Sequence, residues 1–340
     1  MSALEAVVLG LVQGLTEFLP ISSTAHLRIV PALLGWKDPG AAYSAVIQLG
    51  TVGAVLVYFA RDLLRLTQAF LRGLIDKKPF STLESRLAWF VGLGTVPIGV
   101  CGLLFKKTIE TSLRSLYVIS ASLILLAVVL FVVEKVASHQ RTLEQMTLKD
   151  GLIVGAWQAV ALIPGSSRSG TTITGALSLG FTRADAARYS FLLSIPATTL
   201  AGVFELKHLL QATDGPGLDV MVLGTVVSFV SGLAAIHWLL QFLRTRSTLV
   251  FVVYRVVMGL ALLGLVSAGR LAPLEGTPTA AHPGPGRVAG RVIAGQPSAP
   301  GEAPPAAEAD AGEALTAAQP STAGDLSDAG QATDAAGWSP

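Results

Sequence analysis

The chain is poor in charge and in cysteine, and each shortage removes a class of protein. Asp, Glu, Lys and Arg make up only 14% of its 340 residues, against roughly 25% in a typical soluble domain. So little charge cannot coat a water-facing surface, and most of the chain is excluded from the soluble globular class. The single cysteine, Cys101, rules out an intrachain disulfide and any cluster of thiolate ligands. Its apolar surroundings are those of a small buried hydrophobe. The formal net charge is only +2, and no basic stretch is interleaved with aromatics, which excludes nucleic acid as a partner. The first residues, MSALEAVVLG, lack the basic flank of a secretory signal, so this segment is expected to be retained.

Apolar sequence is what the chain has in quantity. Hydrophobic residues make up 51% of it, and the mean hydropathy is +0.61. Runs of about 17–25 residues, enough for a helix to cross the hydrocarbon, lie near Ala42–Ala60, Leu87–Phe105, Leu116–Val133, Arg188–Phe204, Asp219–Leu240 and Leu249–Ala268. The fold class expected is therefore an all-α polytopic membrane protein with six transmembrane helices. From about Leu271 the composition turns to Ala, Pro, Gly, Glu and Asp, with too little apolar volume to offset ordering entropy. Residues 271–340 are predicted to form a disordered tail beyond a membrane domain of residues 1–270.

Within those 270 residues the sequence repeats. GLVQGLTEFLPISSTAH resembles GAWQAVALIPGSSRSGT with a one-residue slip. YSAVIQLG at Tyr43 then matches YSFLLSIP at Tyr189, and LGTVPIGVCGL at Leu93 matches LGTVVSFVSGL at Leu223. Three matches in one order argue for two halves, about 1–140 and 141–270. Each half holds one broken apolar segment and three full spans. An odd number of crossings inverts the second half, an architecture with midplane sites built from discontinuous helices. Both broken segments are expected to be re-entrant helix–loop–helix hairpins that meet near the middle. The stretches Arg61–Arg86 and Lys135–Lys149, with Arg183 and Arg244–Arg246, then share one face, which their Lys and Arg content makes cytoplasmic. Both termini would lie outside.

The chemistry is concentrated in the two breaks. Gln13 and Glu17 are four apart and share a helix face before Pro20. An amide and a carboxylate there suit a cation or a substrate. Ser22 and Ser23 are N-cap candidates for a short helix, and His26 falls on the same side as their hydroxyls. In the second half Ser166 and Ser167 take the capping position, followed at once by Arg168. Two helix N-termini facing each other attract an anion, Arg168 can pair with phosphate oxygens, and Gly165 and Gly170 let the backbone approach closely. Ionisable groups at membrane depth are functional by default. Tyr254, Arg255 and His237 read instead as snorkelling or bracing residues. Gln48, which the repeat pairs with Ser194, is a candidate to line the cavity.

At these residues the chain resembles the undecaprenyl-diphosphatase family, the bacitracin-resistance phosphatases of bacterial membranes. The family's Glu-or-Gln, three residues, Glu motif and its Pro-x-Ser-Ser-Thr-x-His segment appear as QGLTEFLPISSTAH, with Gln13, Glu17, Ser22, Ser23, Thr24 and His26 at the motif positions. The second signature appears as PGSSRSG, with Ser167, Arg168 and Ser169. The resemblance covers about residues 1–270 and implies hydrolysis of undecaprenyl diphosphate to the monophosphate carrier lipid used in peptidoglycan synthesis. It further implies dependence on a divalent cation, Mg2+ or Ca2+, and a site facing outward from the inner membrane. Gln13 carries no charge, so the motif offers the metal one carboxylate, Glu17, where relatives with Glu offer two.

The expected roles follow. Arg168 and the helix ends bind the diphosphate, with Ser22, Thr24, Gly165, Ser166, Ser167, Ser169 and Gly170 around it. Glu17, with Gln13, holds the cation, and His26 takes a proton from Ser23 or from an attacking water. A homodimer is a possible assembly. The competing class is a lipid-phosphate flippase or secondary transporter, since inverted repeats with a midplane anion site are typical of carriers. A histidine beside a serine is what separates the two readings, because a carrier needs no proton acceptor.

Overall fold

The computed structural model describes residues 1–37, 40–110, 112–210 and 217–273. Among them there are twelve α-helices and no β-strand. Four helices are long and apolar enough to cross a membrane: α5 (Leu83–Leu104), α7 (Leu116–Val136), α11 (Leu218–Thr245) and α12 (Leu249–Ser267). A fifth crossing is counted if α3 (Gly40–Tyr58) is joined to α4 (Ala60–Ile75), which bends from it by 72°. The remaining predicted span, Arg188–Phe204, falls inside α10 (Arg183–Leu210). α10 carries Ser190, Ser194 and Thr198 among its buried residues, which lowers its hydropathy. The predicted tail from Leu271 lies outside the described residues except for its first three positions.

Both broken segments are helix pairs. α1 (Ala3–Phe18) stops before Pro20 and α2 (Ser23–Leu34) begins three residues after it; α8 (Leu148–Val160) stops before Pro164 and α9 (Arg168–Ser178) follows. Proline cannot donate to a helix and pushes its predecessor out of helical geometry, so the breaks fall where the sequence puts them. α1 packs on α11 through Gly10 and Gly14, where an added Cβ would come within 2.5 Å of Gly224 O and 1.9 Å of Ser231 Oγ. α8 packs on α5 the same way, a Cβ at Gly155 lying 2.3 Å from Gly94 O. In the sequence repeat Gly10 corresponds to Gly155 and Gly224 to Gly94. Each hairpin is thus clamped by the small residues of the other half's helix, as lipid-embedded helices without a hydrophobic drive between them require. Phe18, at the end of α1, sets its ring edge-on to Phe191 of α10, 5.3 Å away, and fixes the neighbouring Glu17.

Polar ties gather at one end. Glu134 of α7 accepts from Arg183 Nε at 2.7 Å and from the hydroxyls of Ser247 and Thr248 at 2.8 Å each. Arg188 Nη2 bonds Asp62 at 2.9 Å. Arg141 holds both oxygens of Asp150, at 3.2 and 2.7 Å. Burial works against the ionised Asp150, but the bonds from Arg141 and Thr147 outweigh it and hold the carboxyl below its ordinary value.

Two sequence expectations change. The stretch Arg61–Arg86, read as a loop, contains α4, whose arginines break up the apolar run while leaving a helical period intact. Cys101 is partly exposed on α5 rather than buried.

Candidate active site

The two breaks are built alike at the backbone. Ser22 caps α2 with φ 75 and ψ 96, and Ser167 caps α9 with φ 69 and ψ 111. Positive φ is costly for a side chain of this kind and persists at sites where the surroundings enforce it. Ser22 Oγ accepts from Ala25 N at 3.4 Å and Ser167 Oγ from Gly170 N at 3.2 Å. A second hydroxyl follows each, Thr24 at 3.4 Å from Ser22 and Ser169 at 3.3 Å from Ser167. The slip in the repeat is thereby resolved: Ser22 corresponds to Ser167 and Ser23 to Arg168. Gly165 has φ +91, and a Cβ there would lie 2.2 Å from Ser122 Oγ, so the turn requires glycine on both counts.

A cavity of 210 Å³ opens between the breaks, and Gln13, Glu17, Ser23, Thr24, Ser167 and Arg168 line it from the two hairpins. Gln48 of α3 and Thr198 of α10 line the opposite side. Gln48 is where the repeat suggested; its partner Ser194 instead bonds Phe191 O at 2.6 Å.

Glu17 is the hub. Its Oε1 accepts from Arg168 Nη2 at 2.5 Å, and its Oε2 accepts from Ser23 Oγ at 2.6 Å and from Gln13 Nε2 at 3.0 Å. Glu17 is 7% exposed, so these are bonds in a dry setting where electrostatics count for more. Arg168 Nη1 has no partner. One face of the guanidinium is therefore committed to Glu17 and the other donor remains available to an anion.

The remaining predicted residues stand behind this wall. Ser169 Oγ donates to Leu19 O at 2.9 Å, tying α9 to the end of α1. Ser166 is fully buried with its hydroxyl unpartnered, and Gly170 lies against Arg255.

His26 departs from expectation. Its Nδ1 is 2.7 Å from Ser22 O and its Nε2 2.5 Å from Tyr254 Oη. Both ring nitrogens are engaged, and the Ser23 hydroxyl belongs to Glu17 instead. A residue three places along a helix from Ser23 shares its side, but the positive φ at Ser22 turns the hydroxyl of Ser23 back toward α1.

Two neighbours on α12, which the sequence offered only as snorkelling or bracing residues, reach the site. Tyr254 meets His26 in the first hairpin. Arg255, 0% exposed, donates through Nη2 to Ser166 O at 2.9 Å and Gly165 O at 3.3 Å in the second. In a trans peptide C=O and N–H point oppositely, so holding Ser166 O turns the N–H of Ser167 away from Arg255. The available signal was a Tyr-Arg pair inside an otherwise apolar span.

As to metal, no group of three His, Cys, Asp or Glu residues occurs among the described residues. Gln13 and Glu17 are the oxygen-bearing residues of α1 that line the cavity, and a hard cation there would draw on them, the Glu17 oxygens being shared between it and the donors of Arg168, Ser23 and Gln13. Mg2+ completes such partial sets with substrate phosphates and water.

A multi-pass helical membrane protein whose cavity gathers an arginine, a carboxylate and a serine beside the N-termini of two broken helices is of the class that handles a phosphorylated ligand within the bilayer. The chain belongs to the family described as bacitracin resistance protein BacA, whose model matches residues 6–261. It is 68% identical over 284 residues to the undecaprenyl-diphosphatase of Myxococcus xanthus (strain DK1622), covering 84% of this chain and 96% of that protein. Over 281 residues it is 53% identical to the undecaprenyl-diphosphatase of Chloroherpeton thalassium (strain ATCC 35110 / GB-78), covering 80% of this chain and 99% of the relative.

Proposed function

We propose that this chain is an integral membrane phosphatase that hydrolyses undecaprenyl diphosphate to undecaprenyl phosphate and inorganic phosphate, recycling the carrier lipid and thereby conferring bacitracin resistance. Beside membership of the family, one observation carries this reading: Arg168, whose Nη1 has no protein partner, lines the cavity in which Ser23 Oγ donates a hydrogen bond to Glu17. A carrier has no use for the second half of that arrangement.

The polyprenyl chain lies between helices and the diphosphate enters the cavity. Arg168 Nη1 and the N-termini of α2 and α9 bind the terminal phosphate and stabilise the charge that spreads over its oxygens, the main contribution in phosphoryl transfer. Ser23 Oγ attacks that phosphorus while Glu17 Oε2 takes its proton. The bond to the bridging oxygen breaks, and its electron pair leaves with undecaprenyl phosphate. Water then attacks the phosphoserine phosphorus, the bond to Ser23 Oγ breaks, Ser23 takes back the proton held by Glu17, and the water's oxygen and protons leave with inorganic phosphate. A bound Mg2+ or Ca2+, held by Glu17 and Gln13, would neutralise charge on the diphosphate. His26, fixed between Ser22 O and Tyr254, keeps the first turn of α2 in register. The competing route is direct attack by water, with Ser23 as an orienting group.

In the arrangement that goes with this reading, α3, α5, α7, α10, α11 and α12 are six spans and the α1–α2 and α8–α9 pairs are re-entrant, in an inverted repeat of the inner membrane with the site open outward. It is supported by the ties of Glu134 to Arg183 and of Asp62 to Arg188, since they join segments the arrangement puts on one side. The deciding test is phosphate release from undecaprenyl diphosphate by purified protein in detergent, with Mg2+, with Ca2+ and with chelator, beside Arg168→Ala. Cation-dependent release lost in the variant is expected. A folded protein that binds the lipid without releasing phosphate would turn the same residues into the binding site of a lipid transporter.

A further inference from the structure

α4 is a three-faced helix. One face, with Leu66 and Gly73 buried and the Phe70 ring tilted against that of Trp89 at 5.0 Å, rests on α5. A second face is an apolar stripe left open: Leu64 is 62% exposed, Leu71 52%, Leu74 46% and Ile75 79%. At 100° per residue these four fall within one third of the circumference. The third face carries Arg61, Arg65 and Arg72, all exposed, on the flank beside the leucines. None of the three forms an ion pair or a side-chain hydrogen bond among the described residues. Of the acids nearest in sequence, Asp62 is taken by Arg188, and Asp76, four residues after Arg72, forms no ion pair with it among the described residues.

We propose that α4 lies in the plane of the bilayer interface and is a binding surface for anionic phospholipid. The 72° bend from α3 points to this geometry, since a helix continuing a span at such an angle runs nearly along the membrane surface. An open leucine stripe in water would be an aggregation liability, whereas buried at the boundary of headgroups and acyl chains it is the apolar face of an interfacial helix. The arginine row then lies at the level of the lipid phosphates. Three cations without protein partners are complementary to a leaflet whose headgroups carry net negative charge, and a guanidinium pairs with two phosphate oxygens at once. A zwitterionic headgroup supplies the phosphate but cancels its charge, so the surface selects anionic lipid.

The test uses the full chain in nanodiscs of phosphatidylcholine alone or mixed with phosphatidylglycerol. In a Cys101→Ser background, spin labels are placed by Leu71→Cys and by Gln68→Cys. The label at 71 is expected to be reached by oxygen from the bilayer and shielded from a water-soluble nickel chelate, and that at 68 to be closer to the nickel. Enrichment of phosphatidylglycerol in the lipid retained after detergent extraction is measured for the native chain and for the triple variant Arg61→Gln, Arg65→Gln, Arg72→Gln. Each arginine contributes about a fivefold preference at low salt, so the enrichment should fall steeply in the variant and with added salt, while turnover in detergent, far from α4, is unchanged and reports an intact fold. A label at 71 open to nickel would overturn the proposal, and so would equal enrichment in the triple variant. Shielding of position 71 from both reagents, with spin–spin coupling between labels, would place a second copy of the chain on the stripe instead of lipid.

Discussion

The divergence between Glu17 and His26 is the sharpest point at the level of single residues. Proximity in sequence suggests that His26 serves Ser23, and the hydrogen bonds give that hydroxyl to Glu17. Glu17→Gln keeps the shape and removes the proton acceptor, so kcat should fall by roughly 10²–10⁴ in a protein that still binds substrate. His26→Ala leaves Glu17 and Ser23 in contact and should cost much less, through a looser first turn of α2. Steady-state kinetics on the two variants decides, and the reverse ranking would restore the histidine as base. The motif residues themselves were legible, because Glu, His and Arg in apolar sequence stand out. Their partners were not: Tyr254 is 228 residues from His26, and a Tyr-Arg pair on a span reads equally well as snorkelling. Arg255 acts through the peptide it holds, so Arg255→Met should leave Gly165 and Ser166 carbonyls without their donor and cost about 1–3 kcal/mol, read as a lower melting temperature in detergent.

At the level of elements the chain is held by pairs that mirror each other. Gly10 against Gly224 and Gly155 against Gly94 are the same contact made twice. Gly10→Val and Gly155→Val should therefore destabilise to similar extents, about 1–3 kcal/mol each, in thermal melts of purified protein; a neutral result at one site only would show that the two hairpins are clamped unequally. The repeat that relates these contacts was readable, but sequence spacing alone did not show which glycines face each other across the two halves. The start of α8 adds a pH dependence. Arg141 and Thr147 hold the Asp150 carboxyl below its unfolded value, against the opposing effect of burial. The stability it contributes is present above the unfolded pKa of about 3.9 and is lost as pH falls through the lower folded value. Asp150→Asn should be less stable than the native chain at neutral pH, and that difference should shrink on acidification below about pH 4. α4 was the element that sequence reading missed: hydropathy averaged over its length is cancelled by its arginines, and only the angular arrangement of the leucines reveals a helix.

For the whole molecule, the number of crossings decides which way the site faces. Six spans with two returning hairpins put Ser2 outside and the turn at Lys77 inside, and they put residues 137–147, 179–182 and 246–248 inside as well. The polar ties agree with this grouping, because Glu134 meets Arg183, Ser247 and Thr248 while Leu116 N bonds Pro273 O at 2.9 Å at the other end of α7. Five spans, with α10 not crossing, would put residues 246–248 outside, on the side away from Glu134, to which Ser247 and Thr248 are bonded. Single cysteines at Ser2, Lys77 and Ser267 in a Cys101→Ser background, labelled by an impermeant maleimide in right-side-out and inverted vesicles, distinguish the arrangements. Ser2 and Ser267 are expected to label from outside and Lys77 from inside only. Labelling of Ser2 and Ser267 from opposite sides would mean an odd number of crossings and would rule the six-span arrangement out. In the six-span arrangement three crossings separate the hairpins, so they would enter from opposite leaflets, and that is how Arg168 of one would meet Glu17 of the other at mid-depth.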